Sequence, residues 1–228
     1  MNLKMILLLL TFYPMTLLCN PSSSTNMVDS VTEKQKEMIL NQKAEKLMEL
    51  ATELGQSQEN SRSFYEREFF NNFPDSFREF VDLYGYDTLV RKPRAKAPFS
   101  YGPLYEESYE HVYSLFGKLS TIPTDEYYSR LFNICIGGYW EADGVNFLRS
   151  VLREKVEANT MLTCELLSKR NDDEIISFWR FYFAGPAPKK SISECLPKVE
   201  GIKDINHHIY SLMQKAIQDV RNRWGKGR

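Results

Sequence analysis

The chain has 228 residues, 29 basic and 30 acidic side chains, a formal charge of −1 and 43% apolar residues. That length supports one domain with its own core, and four cysteines are too few for a small disulfide-stapled scaffold. The near-neutral balance leaves no electrostatic footprint for nucleic acid or an acidic membrane, and 14 Phe with 13 Tyr exclude a disordered chain.

Lys4 precedes the run Met5 to Leu10, and a mostly apolar stretch continues to Leu18. Pro14 and Thr16 interrupt it, and it falls short of the roughly 20 residues needed to span a bilayer. Residues 1–19 therefore read as a secretory signal peptide, which places the rest in the periplasm or cell envelope. Cys19 has two readings. It either ends a removed leader or becomes the acylated first residue of a lipoprotein, although Leu18 stands where that signal prefers a small residue. Cys135, Cys164 and Cys195 remain after export and allow at most one bridge. The apolar helical setting of Cys135 and Cys164 favours small buried hydrophobes over a disulfide.

Residues 20–30 form a polar tether, and Ser30-Val31-Thr32-Glu33 has the pattern of a capping box. Leu40, Ala44, Leu47, Ala51 and Leu54 recur at spacings of four and three, so an amphipathic helix is predicted over 31–56. Its seam is short for a coiled coil and suits packing on the domain. Two short helices then meet at Pro74, with Phe73, Phe77, Phe80, Val81 and Tyr84 on one face and Gly85 as the stop. This aromatic stripe reads as core rather than as a recognition surface.

Residues 91–103 hold Arg91, Lys92, Arg94 and Lys96, no acid, and three prolines that forbid a helix interior. The segment is a basic surface loop, either a solvated linker or a patch for an acidic partner. A helix is expected from Leu104, carrying Tyr105, Tyr109, Val112 and Phe116 inward and His111 in solvent. The next carries Tyr128, Leu131, Phe132 and Cys135, with Asp125 and Glu126 at its positive end, and stops at Gly137-Gly138.

Further helices hold Val145 to Lys155, Leu162 to Leu167, and a segment opened by Asn171-Asp172-Asp173-Glu174. Ile175, Phe178, Trp179 and Tyr182, joined by Phe181 and Phe183, make the last of these apolar nearly all round, as a central buried helix is. An irregular stretch is expected from Gly185 to Gly201, then a final helix with Ile205, Ile209, Leu212, Ala216, Val220 and Trp224. No segment alternates with period two, so the predicted fold is all-α, a single bundle-like domain of about eight helices over 31–228.

Tyr139, Trp140, Glu141 and Asp143 form the segment of most functional interest. Two carboxylates beside two large aromatics suit helix caps beside a buried Trp, a protein-binding edge, or acid–base chemistry. Residues two apart on a helix diverge, and no histidine or third acid accompanies them, which weighs against chemistry. His207 and His208 are adjacent and cannot chelate one metal as an i, i+4 pair would. No phosphate loop, CxxC pair, HExxH or GxSxG is present, so no cofactor or metal is expected.

The segments Phe69-Phe70-Asn71-Asn72-Phe73-Pro74-Asp75-Ser76-Phe77, Leu83-Tyr84-Gly85-Tyr86-Asp87, Gly102-Pro103-Leu104-Tyr105, Ile136 to Asp143 and Phe178 to Pro186 resemble a family of exported all-helical proteins from Gram-negative bacteria. That family is similar to the immunity proteins that accompany toxins of contact-dependent systems such as type VI secretion. The resemblance covers residues 60–225 and carries no catalytic residues with it. It implies a cognate protein toxin as partner, which the signal peptide would place in the periplasm, and the exposed members of Tyr139, Trp140, Glu141 and Asp143 together with the Arg91 to Lys96 loop are the predicted contacts. Two rivals are an envelope lipoprotein anchored through Cys19 and a secreted helical hydrolase using carboxylates.

Overall fold

The structure, a computed structural model, describes residues 24–85 and 101–225. Residues 1–19, the predicted signal peptide with Cys19, and the basic residues Arg91, Lys92, Arg94 and Lys96 lie outside the described residues. Among those described, ten α-helices, one π-helical segment and one 3-10 turn occur and no strand does. The all-α expectation holds, and the predicted count of about eight helices is too low. The elements are α1 (Ser24–Gln56), α2 (Glu59–Asn72), α3 (Phe77–Tyr84), the π segment Tyr109–Leu115 and the turn Phe116–Lys118, then α4 (Thr124–Cys135) and α5 (Gly144–Ala158). They continue as α6 (Thr160–Leu167), α7 (Asp172–Phe183), α8 (Pro188–Val199), α9 (Ile202–Ile205) and α10 (His207–Gly225). The chain divides after Met38, and residues 39–228 form the unit that holds the core.

Helix α7 is the axis of that unit. Asn171 and Glu174 form a reciprocal capping box at its start, satisfying two of the N–H groups that a helix N-terminus leaves open. Ile175, Phe178, Trp179, Phe181, Tyr182 and Phe183 are all buried, as the all-round apolar pattern predicts. Helix α10 lies along it, burying Ile209, Leu212, Met213, Ala216 and Ile217, and Arg180 pairs with Asp219 across the seam at 3.7 Å. A second aromatic cluster sits between α2, α3 and the turn after the π segment, where the Phe73 and Phe116 rings stack at 4.0 Å. Ala44, Leu47, Leu50 and Leu54 of α1 join the same core, so residues 39–56 pack on the domain.

Four boundaries depart from the sequence expectation. Helix α1 begins at Ser24, six residues before the capping-box pattern. The stretch predicted as irregular contains α8, because Pro188 at the first helical position needs no N–H partner and Ile192, Cys195 and Val199 then bury one face. Ile205 belongs to the four-residue α9 and is exposed, so the final helix starts after it. Residues 103–107 make turns, and the π segment follows with i→i+5 bonding in place of the expected α-helix. That wider register turns less per residue, so His111, predicted in solvent, is buried, and Tyr109, predicted inward, is exposed. Cys135, Cys164 and Cys195 are free and buried, as small hydrophobes. Among the described residues no helix is long and apolar enough to cross a membrane.

Candidate partner-binding surface

The site is assembled where α3 ends and α5 begins. Gly102 donates to the Gly85 carbonyl and Leu104 donates to the Leu83 carbonyl, each at 2.9 Å, so the chain on either side of residues 86–100 is drawn together. Glycine is required for this approach, since a Cβ at Gly102 would lie 2.2 Å from the Leu83 carbonyl oxygen. Tyr101 then leans on Tyr105 with ring centres 4.5 Å apart, and the Tyr105 hydroxyl donates to the Asp143 carboxylate. That hydrogen bond and its charge hold the Tyr105 phenol well above the ordinary tyrosine range.

Asp143 is the one non-glycine residue with positive φ among those described, at φ 51° and ψ −105°. Such a backbone costs about 1–3 kcal/mol and persists where neighbours over-determine it. Here the constraint is visible on both sides. The following Gly144 sits so close to α3 that a Cβ would lie 2.7 Å from the Tyr84 carbonyl oxygen. On the other side, Gly137 turns with φ 80° and donates to Ser177 Oγ at 2.8 Å, and Gly138 packs on the Phe181 ring.

Held between these points, Tyr139 meets Phe77 edge-on at 4.9 Å, and Phe77 in turn meets Phe181 at 5.6 Å. Tyr139 and Trp140 remain 40% and 36% exposed. Large aromatics held at the surface by a rigid bend are the side chains that anchor protein interfaces. Trp140 is thus not the buried partner of capping acids, and Asp143, though it stands at the N-cap of α5, makes no side-chain cap bond. Glu141 is buried while Asp143 is exposed, so the two carboxylates do not share one environment. The face continues through exposed Tyr109, whose ring lies 5.6 Å from Tyr113 and 5.3 Å edge-on from Phe147.

Four charged or titratable groups inside the unit were not legible in the sequence as buried or structural ones. Glu66 is fully buried, accepting from the backbone N–H groups of Ser120 and Thr121 at 2.8 and 2.7 Å, from the Thr121 hydroxyl and from Arg62. Burial works to raise its pKa, yet these donors outweigh burial and hold the carboxyl below its ordinary value. His111 faces Tyr84, with the hydroxyl 3.2 Å from Nδ1, and burial pushes its pKa down to about 4. Arg149 reaches the Ala184 carbonyl just beyond α7, and Arg153 reaches the Tyr182 carbonyl at 2.8 Å, so two guanidiniums meet the negative end of the central helix. Burial lowers the Arg149 pKa to about 10. An i, i+4 Arg62–Glu66 pair is visible in sequence, but nothing in it distinguishes a buried carboxylate from a surface one.

The other predicted positions separate from this surface. His208 pairs with Asp172 at 2.9 Å, and no cluster able to hold a metal occurs among the described residues. No family model matches the chain, and neither a curated protein nor a solved structure shows a significant match to it.

Proposed function

We propose that the chain is an exported binding protein that neutralises a cognate antibacterial toxin by covering its active surface. The observation that supports this reading is the fixed presentation of Tyr139 and Trp140 beside Asp143, where a strained backbone is held between α3 and α5. Strain kept at an exposed aromatic bend is costly for a purely structural connection and useful for a preorganised contact. The backbone on either side of the segment that carries Arg91, Lys92, Arg94 and Lys96 closes through Gly85 and Gly102, next to the contact of α3 with Gly144. A protein with this role needs a rigid surface and no reaction of its own. The leader-like residues 1–19 support a periplasmic or envelope setting, with Cys19 as the point of attachment if acylated.

The test is capture. The tagged protein is used to retrieve partners from lysate and secreted fractions of the producing bacterium, with mass spectrometry of what co-purifies. The expected result is one stoichiometric partner that kills when exported to a periplasm lacking this chain and spares cells that contain it. Capture that survives Trp140→Ala and Asp143→Ala together would move the interface elsewhere, and a partner that is harmless alone would remove the neutralising role.

A further inference from the structure

Asp143 stands at the N-cap of α5 without capping it. Its carbonyl accepts from the Phe147 N–H at 3.0 Å, as an N-cap carbonyl does. A carboxylate in that place ordinarily turns back onto the N–H groups of the second or third helical residue, here Val145 and Asn146, where its charge also suits the positive end of the helix. Ser76 and Asn171 cap α3 and α7 in this way, each from extended backbone. No side chain caps α5, although Val145 is fully buried. The Asp143 carboxylate accepts from the Tyr105 hydroxyl instead, and its backbone takes φ 51° and ψ −105°.

Two arrangements therefore compete for one side chain. Tyr105 is fixed on its own side, because Leu104 donates to the Leu83 carbonyl and the Tyr101 ring leans on the phenol. Gly144 is fixed on the other, against the Tyr84 carbonyl. A turn of Asp143 to extended backbone would relieve the strain and give α5 its cap, and it would swing residues 139–142, since Gly144 has no room to follow. Strain joined to a forgone cap is the local conflict that marks functional positions. We propose that Asp143 is a two-position element and Tyr105 its positioning residue: the hydroxyl holds the carboxylate off α5 and keeps Tyr139 and Trp140 presented, and without it Asp143 caps α5 and the bend moves. The inference rests on the reading of the bend as a partner contact and adds how that contact is held ready.

The experiment follows amide hydrogen exchange and the Trp140 indole N–H by NMR in wild type and in Tyr105→Phe, which keeps the ring against Tyr101 and removes the hydroxyl. Exchange at Val145 and Asn146 should slow by about fivefold or more as the cap forms, the Trp140 signal should shift, and Tm should hold or rise. Adding Asp143→Ala to Tyr105→Phe should abolish the slowing. Should Tyr105→Phe misfold, Asp143→Asn, a strong cap and a weaker acceptor for a phenol, must slow the same two amides. A hydrogen bond of structural value alone gives the opposite sign, a lower Tm with faster exchange. That result, unchanged exchange at Val145 and Asn146, slowing that survives Asp143→Ala, or an unmoved Trp140 signal would overturn the proposal. No partner is needed for these measurements, so their failure leaves the neutralising role standing, and failed capture with slowed amides removes only that role.

Discussion

His111 shows how one buried side chain links stability to pH. Its ring lies between Phe69 and Tyr84, and burial holds its pKa near 4 against an ordinary 6.5. Below pH 6.5 the unfolded chain takes up a proton there that the folded chain refuses, so the unfolded state binds more protons and stability falls with acid. The contribution is complete above pH 6.5 and is lost progressively down to about pH 4. Between pH 7 and 5 the loss from this group is about 2 kcal/mol. Urea unfolding at the two values should show it, and His111→Gln, which keeps a polar partner for Tyr84 and does not titrate, should flatten the slope. An unchanged slope would mean that the histidine titrates alike in the folded and unfolded chains. Glu66 acts in a different window. Its depressed carboxyl stabilises the fold above its ordinary pKa of 4.5 and loses that effect only as pH falls below it. Replacing it is a harsher change: Glu66→Ala strands the Ser120 and Thr121 N–H groups and should cost about 3 kcal/mol in the same assay, whereas a cost under about 1 kcal/mol would show that water can take its place.

Among the elements, helices with one dominant apolar period are legible in the sequence. The all-round apolar pattern of α7, the Asn171 box and the Phe77 to Tyr84 stripe depend on residues close in sequence, and each lies where its spacing placed it. The π segment and α8 were not legible, for two physical reasons. A change of helical register rotates every following side chain without altering composition, and a proline reads as a breaker until its place at the first turn is known. The bend before α5 escaped for a third reason: its geometry is imposed by α3, far away in sequence. This makes Gly102 the most informative single position. Gly102→Ala drives a Cβ to 2.2 Å from the Leu83 carbonyl oxygen and 2.8 Å from the Tyr84 nitrogen, both backbone atoms that cannot swing aside. Two ladder-like bonds between 83–85 and 102–104 must open, which should lower stability by about 2 kcal/mol or more. Gly201→Ala, with open space around its Cβ, should stay within about 0.5 kcal/mol of wild type. Equal losses at both positions in thermal unfolding would refute the close approach. Asp143→Gly separates strain from contact in the same element. Relief of the backbone should leave stability unchanged or raised by about 1 kcal/mol, while loss of the carboxylate beside Tyr105 should weaken partner capture.

At the scale of the whole molecule, the charges are nearly balanced overall and strongly sorted locally. Arg91, Lys92, Arg94 and Lys96 fall within six residues without an acid, and Glu106, Glu107 and Glu110 fall within five without a base. A formal charge of −1 gives no long-range attraction to a partner of either sign, so steering must come from these local fields. Reversing Arg91, Lys92 and Arg94 to Glu tests the first half of that pattern. The segment lies between the pinned ends at Gly85 and Gly102, and its replacement should leave the helical circular dichroism intact. Stopped-flow association with the captured partner should slow by about tenfold at low salt, and the difference should shrink as ionic strength rises and screening sets in. Dissociation should change far less, since rim charges act on encounter while the aromatics at Tyr139 and Trp140 act on residence. A faster dissociation with unchanged association would assign the basic segment no steering role. The partner would then be recognised through the aromatic bend alone.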